Sequence, residues 1–330
     1  MNSKSISAVL EPSLKLLVAD KWVEAEGVVA FRLVDERGGL LPGFTAGAHI
    51  DVHAGTDRLR QYSLCNPSHS PTHYEIAVLR DPASRGGSKF MHEELTPGAR
   101  VVVSQPKNHF SLEENTPAML FAGGIGITPI LAMAQELDDQ GIDFELHYCV
   151  RGRDRAAFFS RLSASNYANK VHLHFDDGAA SQNLDVASVL SRATAAHHLY
   201  VCGPGGFIDH ILESARRANW ADQRLHREFF ATPLATSFEG VDGDFELELV
   251  RSGRCLNVPA QKSALEVLHE AGIAVPASCE AGVCGTCVTR VIDGTPDHRD
   301  VYLTDAEHAA NNSFTPCCSR SHTPRLVVDL

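Results

Sequence analysis

The sequence lacks any apolar run long enough to cross a bilayer, and its opening residues, MNSKSISAVLEPSLK, hold no apolar core of the kind a secretory signal needs. Neither a membrane span nor export is expected, and a reducing cytoplasm is the expected compartment. Basic charge is also short. With 41 acidic against 29 basic residues the net charge is −12, which argues against nucleic acid as a partner, because phosphate binding needs a positive surface. The 17 histidines include no H-E-x-x-H or similar metal spacing and are read as core and surface residues. Internal repeats and low-complexity tracts are absent. The cysteine count of nine is odd and only one C-x2-C occurs, which counts against a disulfide framework and against a zinc site built from two short knuckles.

What is there is more than one core can use: 330 residues suit two or three domains. The first third, 1–114, reads as antiparallel strands. HYEIAVLR puts Tyr74, Ile76 and Val78 on one side, and AHIDVHA and RVVVSQP are similar short runs bounded by Gly, Pro and Asn, so a small β-barrel is expected. Over 115–230 the rhythm changes to strand, helix, strand: AMLFAGG, a helix from Thr128 to about Gln140, then DFELHYCV, KVHLHFD and HLYVCGP, each followed by a helix-length stretch. Such alternation predicts an α/β domain whose parallel sheet is covered on both faces. ATPLATSFEGVDGD, clustering Pro, Ser, Thr and Gly, predicts a linker over 231–243. The last segment, 244–330, opens with DFELELV, carries a short helix around Ser263 to Ala271, and ends in RLVVDL.

Several short motifs point to bound groups. In AGGIGITP, Ala122 to Pro129, a glycine-rich turn follows an apolar strand, with Thr128 placed to cap a helix and Pro129 suited to its first turn. A turn of that kind lets a pyrophosphate approach the backbone at a helix N-terminus. The tripeptide CGP, Cys202, Gly203 and Pro204, ends a later strand of the same sheet, so the two turns are expected to flank one crevice. Each turn alone also reads as ordinary strand-to-helix punctuation. In RQYSL, Arg60 can pair with a phosphate and Tyr62 offers a ring and a hydroxyl. In RGGS, beginning at Arg85, Gly86 and Gly87 let the backbone close on an anion. RGRDR, with Arg151, Arg153 and Arg155, stands where an acid would hold ribose hydroxyls and where arginine can receive a 2′-phosphate, so NADPH stays open beside NADH.

The cysteines carry the most specific pattern. Cys279, Cys284 and Cys287 follow C-x4-C-x2-C, and the adjacent Cys317 and Cys318 come some thirty residues later, which is the plant-type ferredoxin arrangement for a 2Fe-2S cluster. Two bridged irons need four thiolates in a small volume, so three come from one tight loop, here with Gly282 and Gly285 and otherwise small side chains. Cys317 lies thirty positions after Cys287, as the resemblance to plant ferredoxins requires, whereas Cys318 demands one extra residue. Cys65, Cys149 and Cys255 read as packed or free thiols. Residues 241–330 hold thirteen Asp plus Glu against seven Lys plus Arg. An acidic electron donor of that kind is steered to a basic patch on its acceptor; the same charge also simply keeps a protein soluble. A nicotinamide delivers two electrons as hydride while a cluster accepts one, so a flavin is expected between them.

Taken in order, RQYSL, GGS, GGIGITP, CGP, SCEAGVCGTC and CCSR resemble the phthalate dioxygenase reductase family, which includes the reductase of vanillate demethylase, from about Leu16 onward. The resemblance implies an FMN-binding antiparallel barrel, a central NAD domain and a C-terminal α+β (β-grasp) plant-type ferredoxin. It also implies a function, passing electrons from NADH to the Rieske centre of a separate oxygenase. Carried over residue by residue, it gives Arg60, Tyr62 and Ser63 to the flavin ring and phosphate, Ala77 and Val78 to the strand beneath, and Gly87 and Ser88 to the phosphate. Gly124 and Thr128 would meet the dinucleotide and Cys202 the nicotinamide ring, while Glu228 and Phe230 of HREFF match a carboxylate and a flavin-shielding aromatic, with Phe229 and Phe230 competing for the last role. Cys279, Cys284, Cys287 and Cys317 would hold the cluster. Two other readings stay open: a reductase of ferric chelates, quinones or haem proteins, and a zinc-stapled binding module without redox activity.

Overall fold

A computed structural model of the chain describes residues 13–55, 59–68, 72–82, 86–230 and 243–330. Arg85 and all but the last residue of the expected linker 231–243 lie outside the described residues. The described chain falls into two compact units, one up to Phe230 and one at the C-terminal end.

The first unit begins with six antiparallel strands, β1 Ser13–Ala25, β2 Val28–Asp35, β3 His49–His53, β4 Leu59–Ser63, β5 Tyr74–Leu79 and β6 Arg100–Ser104, in the order β4-β3-β6-β1-β2-β5. A bridge between Leu64 and Ile76 joins the two edge strands and closes the sheet into the expected barrel. Alternation along β5 works as the sequence predicts. Tyr74, Ile76 and Val78 pack inside with Phe31, Leu33 and Ile50, while Ala77 joins a different apolar cluster outside. A short helix, α1 Gly87–Glu93, follows β5.

The same unit continues as five parallel strands, β7 Ala118–Gly123, β8 Phe144–Val150, β9 Val171–Phe175, β10 His198–Gly203 and β11 Leu225–Phe229, in the order β11-β10-β7-β8-β9. The helices are α2 Ile127–Asp139, α3 Phe159–Ser163, α4 Val186–Leu190 and α5 Gly205–Arg217. Period-two alternation sorts the strands' side chains: Leu120, Ala122, Tyr200 and Cys202 face α2, and Phe121, Leu199 and Val201 face α4 and α5. The α2 cluster extends to Ala30, Cys65, Ala77 and Phe110 of the barrel, so barrel and parallel sheet share one core. Chain order reverses between β7 and β10, which is where open α/β sheets bind ligands. One expectation is corrected. Thr128 does not cap α2: the cap position is Gly126, with no side-chain bond, and the Thr128 hydroxyl, inside the helix, donates to the Ile125 carbonyl at 3.0 Å.

The second unit contains β12 Phe245–Leu249, β13 Arg254–Val258, α6 Ala264–Glu270, β14 Thr289–Asp293, β15 Pro296–Asp297, α7 Asp305–Ala310, β16 Ser313–Phe314, β17 Arg320–Ser321 and β18 Arg325–Val328. Its main sheet runs β13-β12-β18-β14-β16, with β12 and β18 parallel at the centre and hairpin-type pairing outward, a β-grasp. The expected helix is α6, one residue shorter at each end. Ser263 and Glu266 form a reciprocal capping box that fixes its start, an arrangement whose loss costs about 1 kcal/mol.

Candidate functional site

The two glycine turns meet, and the contact is between backbones. A Cβ on Gly126 would lie 2.2 Å from the Cys202 carbonyl oxygen, and one on Gly203 would lie 2.9 Å from the Gly123 Cα. Gly123 itself is closed in by Pro204 and Phe207 at 2.9 Å each. Three of these glycines therefore serve the packing of the turns on each other. Gly124 is different: it has φ +53° and nothing within 4 Å of where a side chain would stand, so its backbone borders open space. Pro204, at φ −60°, precedes α5 and its carbonyl accepts from the N–H groups of Phe207 and Ile208.

Across this crevice lies β4 of the barrel. Ser63 Oγ donates to Glu228 Oε2 at 3.5 Å, and Glu228 stands beside Cys202 in the parallel pairing of β10 and β11. Three residues singled out separately in the sequence, on RQYS, CGP and REFF, thus come together. Burial pushes the Glu228 carboxyl up to about 8, with the Ser63 hydroxyl opposing, and burial pushes the Cys202 thiol well above its ordinary value, helped by Glu228. Both shifts favour the protonated, uncharged forms of these groups. The aromatic pair divides by strand alternation. Phe229 packs against the α5 cluster under the Arg227 guanidinium, whereas Phe230 is 42% exposed.

Arg60 and the GGS turn also meet. A Cβ on Gly87 would sit 2.8 Å from Arg60 Cγ, so the arginine stem lies directly on the turn, and Gly86 at φ +103° requires glycine. The Arg60 Nη1 donates to the Leu59 carbonyl at 2.7 Å, and Ser88 Oγ accepts from the Asp81 N–H at 3.3 Å. The Tyr62 hydroxyl is pushed up by burial. Ala77 is buried on the outer face of β5, but the Val78 side chain points into the barrel core, so only its backbone is available to a ligand. In RGRDR, Arg155 is held by Glu26 at 2.7 Å and Arg153 stacks on the Phe159 ring at 4.4 Å. Arg151, exposed at the end of β8, has no side-chain partner among the described residues.

In the second unit the cysteine loop is tight because glycine makes it so. Gly282 and Gly285 have φ of +71° and +69°; a Cβ on Gly285 would lie inside the Tyr302 ring, and one on Gly282 would be 2.5 Å from Cys318 Sγ. The thiols interact as a Cys279–Cys284 pair and a group in which Cys317 meets both Cys287 and Cys318. Cys284 is brought down to about 5 by its bond with Cys279, whose own thiol is pushed up, and Cys287 is lowered by Cys317 in the same way. The Ala281 N–H points at Cys279 Sγ at 3.4 Å. Four convergent thiols with a backbone donor aimed at sulfur fit a cluster of two irons. Cys318 is also in contact with Cys317, which lowers its thiol, and it lies 3.3 Å from the Thr315 hydroxyl.

Sequence reasoning missed the residues that hold barrel to sheet. Glu136 on α2 accepts from the Ala46 N–H at 3.1 Å and the Ser68 hydroxyl at 2.9 Å, and Arg161 pairs with the buried Glu75 at 2.8 Å. Their partners are far apart in the chain, so no local pattern marks them.

Comparison with known proteins agrees with this geometry. Residues 247–322 match the 2Fe-2S iron-sulfur cluster binding domain family. The vanillate O-demethylase oxidoreductase of Pseudomonas sp. (strain HR199 / DSM 7063) is 52% identical over 318 residues, covering 96% of this chain and 100% of that one. A solved phthalate dioxygenase reductase, described as a modular structure for electron transfer from pyridine nucleotides to [2Fe-2S], superposes with a TM-score of 0.74 at 38% identity, covering 96% of this chain and 98% of that one. An intact type IV self-sufficient cytochrome P450 monooxygenase matches with a TM-score of 0.83 at 36% identity over 96% of this chain, which spans only 41% of that longer protein.

The Glu228 environment makes a prediction about pH. Its folded-state pKa of about 8 lies above the ordinary 4.5, so between those values the native protein holds a proton that the unfolded chain has lost. Stability therefore declines as pH rises through that window. Glu228→Gln should remove this decline, so that in denaturant melts the variant gains on the wild type from pH 5 to pH 8. A difference that stays constant across pH would mean that Glu228 is already ionised in the fold.

Proposed function

The chain belongs to the family of the vanillate O-demethylase oxidoreductases and phthalate dioxygenase reductases, and from that premise we propose that it is the reductase component of a two-component Rieske-type oxygenase, taking hydride from NADH with FMN and a 2Fe-2S cluster as its cofactors. The observation that carries the reading is the convergence of Ser63, Cys202 and Glu228 at the β7–β10 switch point, in a chain that also gathers four thiols in its C-terminal unit. When bound, the flavin would convert a two-electron hydride into single electrons for the cluster to carry. A plant-type cluster near roughly −400 mV lies below a Rieske centre at about −150 mV or above, so flow to the oxygenase is downhill.

The protein's own part is positioning. Arg60, with Gly86, Gly87 and Ser88, is assigned the flavin phosphate; Tyr62, Ser63, Ala77 and the Val78 backbone border the ring. Gly124 leaves room for the dinucleotide, and Thr128 shapes the turn from within. Gly203 and Pro204 bring the nicotinamide against Cys202, whose thiol stays protonated. Neutral Glu228 orients Ser63 without adding charge, and the exposed Phe230 is assigned as the shield over the flavin, since Phe229 is committed to packing. Arg151 is the arginine of RGRDR free to meet the adenosine ribose. Cys279, Cys284, Cys287 and Cys317 are assigned to the iron.

Three outcomes are expected. Anaerobic addition of NADH should bleach flavin and cluster absorbance and raise a rhombic EPR signal; reduction by NADPH alone would transfer the Arg151 contact to a 2′-phosphate. Arg60→Ala should weaken FMN binding at least tenfold, since a charge-assisted hydrogen bond contributes about 1.5–3 kcal/mol, and an unchanged flavin content removes Arg60 from the site. Cys317→Ser should abolish cluster assembly, measured as iron per chain, while Cys318→Ser leaves it largely intact; the reverse would make Cys318 the ligand.

A further inference from the structure

Away from the crevice, three histidines and a glutamate gather on β8 and β9. Glu145 and His147 lie two apart on β8, and His172 and His174 two apart on β9, with His147 directly opposite His172. All four side chains therefore share one face of the sheet. The His147 side chain is only 2% exposed.

The hydrogen-bond polarity of this group can be traced from one end. His174 Nδ1 lies 2.9 Å from the Gln182 carbonyl, which only accepts, so Nδ1 carries the proton. In the neutral ring His174 Nε2 is then a lone pair. His147 Nδ1, 3.1 Å away, must donate to it. That leaves the His147 Nε2 lone pair pointing at Glu145 Oε2, at 3.2 Å. The same Oε2 accepts from Arg192 Nη2 at 2.7 Å. The imidazoles of His172 and His174 stack beside His147 at centroid distances of 4.8 and 5.4 Å. His147 Nε2 and Glu145 Oε2 thus face each other where a buried imidazole meets a half-buried carboxylate, donor atoms that a divalent cation can bridge.

We propose that Glu145, His147 and His172 form a divalent-cation site, for zinc by its chemistry, that braces the edge strand β9 to β8. The donor atoms of the three lie within 4.8 Å of one another. Zinc bonds of about 2.0–2.1 Å in tetrahedral geometry set ligand atoms about 3.3 Å apart, which the His147–Glu145 pair already matches. A set of two imidazoles and a carboxylate suits zinc, with water completing the shell. His174, bonded to the far nitrogen of His147, is the outer partner that fixes the ring's tautomer. His172 is exposed and gives the ion access. The inference is independent of the redox function proposed above.

The test is equilibrium dialysis of the flavin- and iron-loaded protein against micromolar zinc, with metal analysis and thermal melts. The wild type is expected to retain one zinc per chain more than His172→Ala or Glu145→Gln, with iron and flavin contents equal in all three. Zinc should raise the melting temperature of the wild type alone, and affinity in His172→Ala should fall at least tenfold. Equal zinc uptake by the wild type and His172→Ala would overturn the proposal. So would a wild type that takes up no additional zinc.

Discussion

Backbone approaching backbone at Gly126 and Cys202 is the constraint on which the nucleotide end of the molecule depends. A side chain at Gly126 would have to occupy the space of the Cys202 carbonyl, so the start of α2 and the end of β10 can only adjoin while that position is bare. Their closeness brings the crevice to the switch point of the sheet, and the Gly124 backbone there borders open space. The glycine motif therefore does two jobs with different residues: most of its glycines let chain meet chain, and one leaves room for something else.

The barrel needs to be held against this crevice, and the means are polar as well as apolar. Ala77 and Cys65 on the barrel's outer face join the α2 cluster, and around that dry contact Glu136, Arg161 and Glu24 reach across to backbone N–H groups, a hydroxyl and the buried Glu75. Each of these bonds is worth only about 1 kcal/mol net, yet each buried group left without its partner costs about 1–3 kcal/mol. The result favours one mutual placement of barrel and sheet over sliding alternatives, which a hydride donor and acceptor require, since reacting atoms must come within about 3–3.5 Å.

How much of this was legible in the sequence depended on distance along the chain. Strands, their alternation and the helices α2 and α6 follow from local periodicity and capping residues, and the cysteine loop from spacing alone. The turn chemistry at RQYSL, GGS and CGP was legible as separate pieces. What local pattern could not supply was their pairing in space: that Gly87 carries the Arg60 stem, that Ser63 reaches Glu228, or that Glu75 and Glu136 bind elements some ninety residues away. Thr128 illustrates the opposite error. Its residue type suits a cap, but the short helical turn at Gly124–Gly126 begins the coil earlier and draws the threonine inside, where its hydroxyl returns to Ile125. The histidines of β8 and β9 carry no sequential motif and are brought side by side by the parallel pairing of the two strands.

The central pair of the C-terminal sheet sets an order of events during synthesis. β12 pairs with β18, Glu246 opposite Arg325 and Leu249 opposite Val328, so the first strand of this unit finds its neighbour only when the last has left the ribosome. Until then the cysteine loop has no finished sheet to support it, while the barrel and parallel sheet, complete by Phe230, can already have collapsed and taken up their ligands. Cluster insertion thus waits until Arg325–Val328 has been made, and a chain truncated before that strand would emerge with its upstream part assembled and its electron outlet missing.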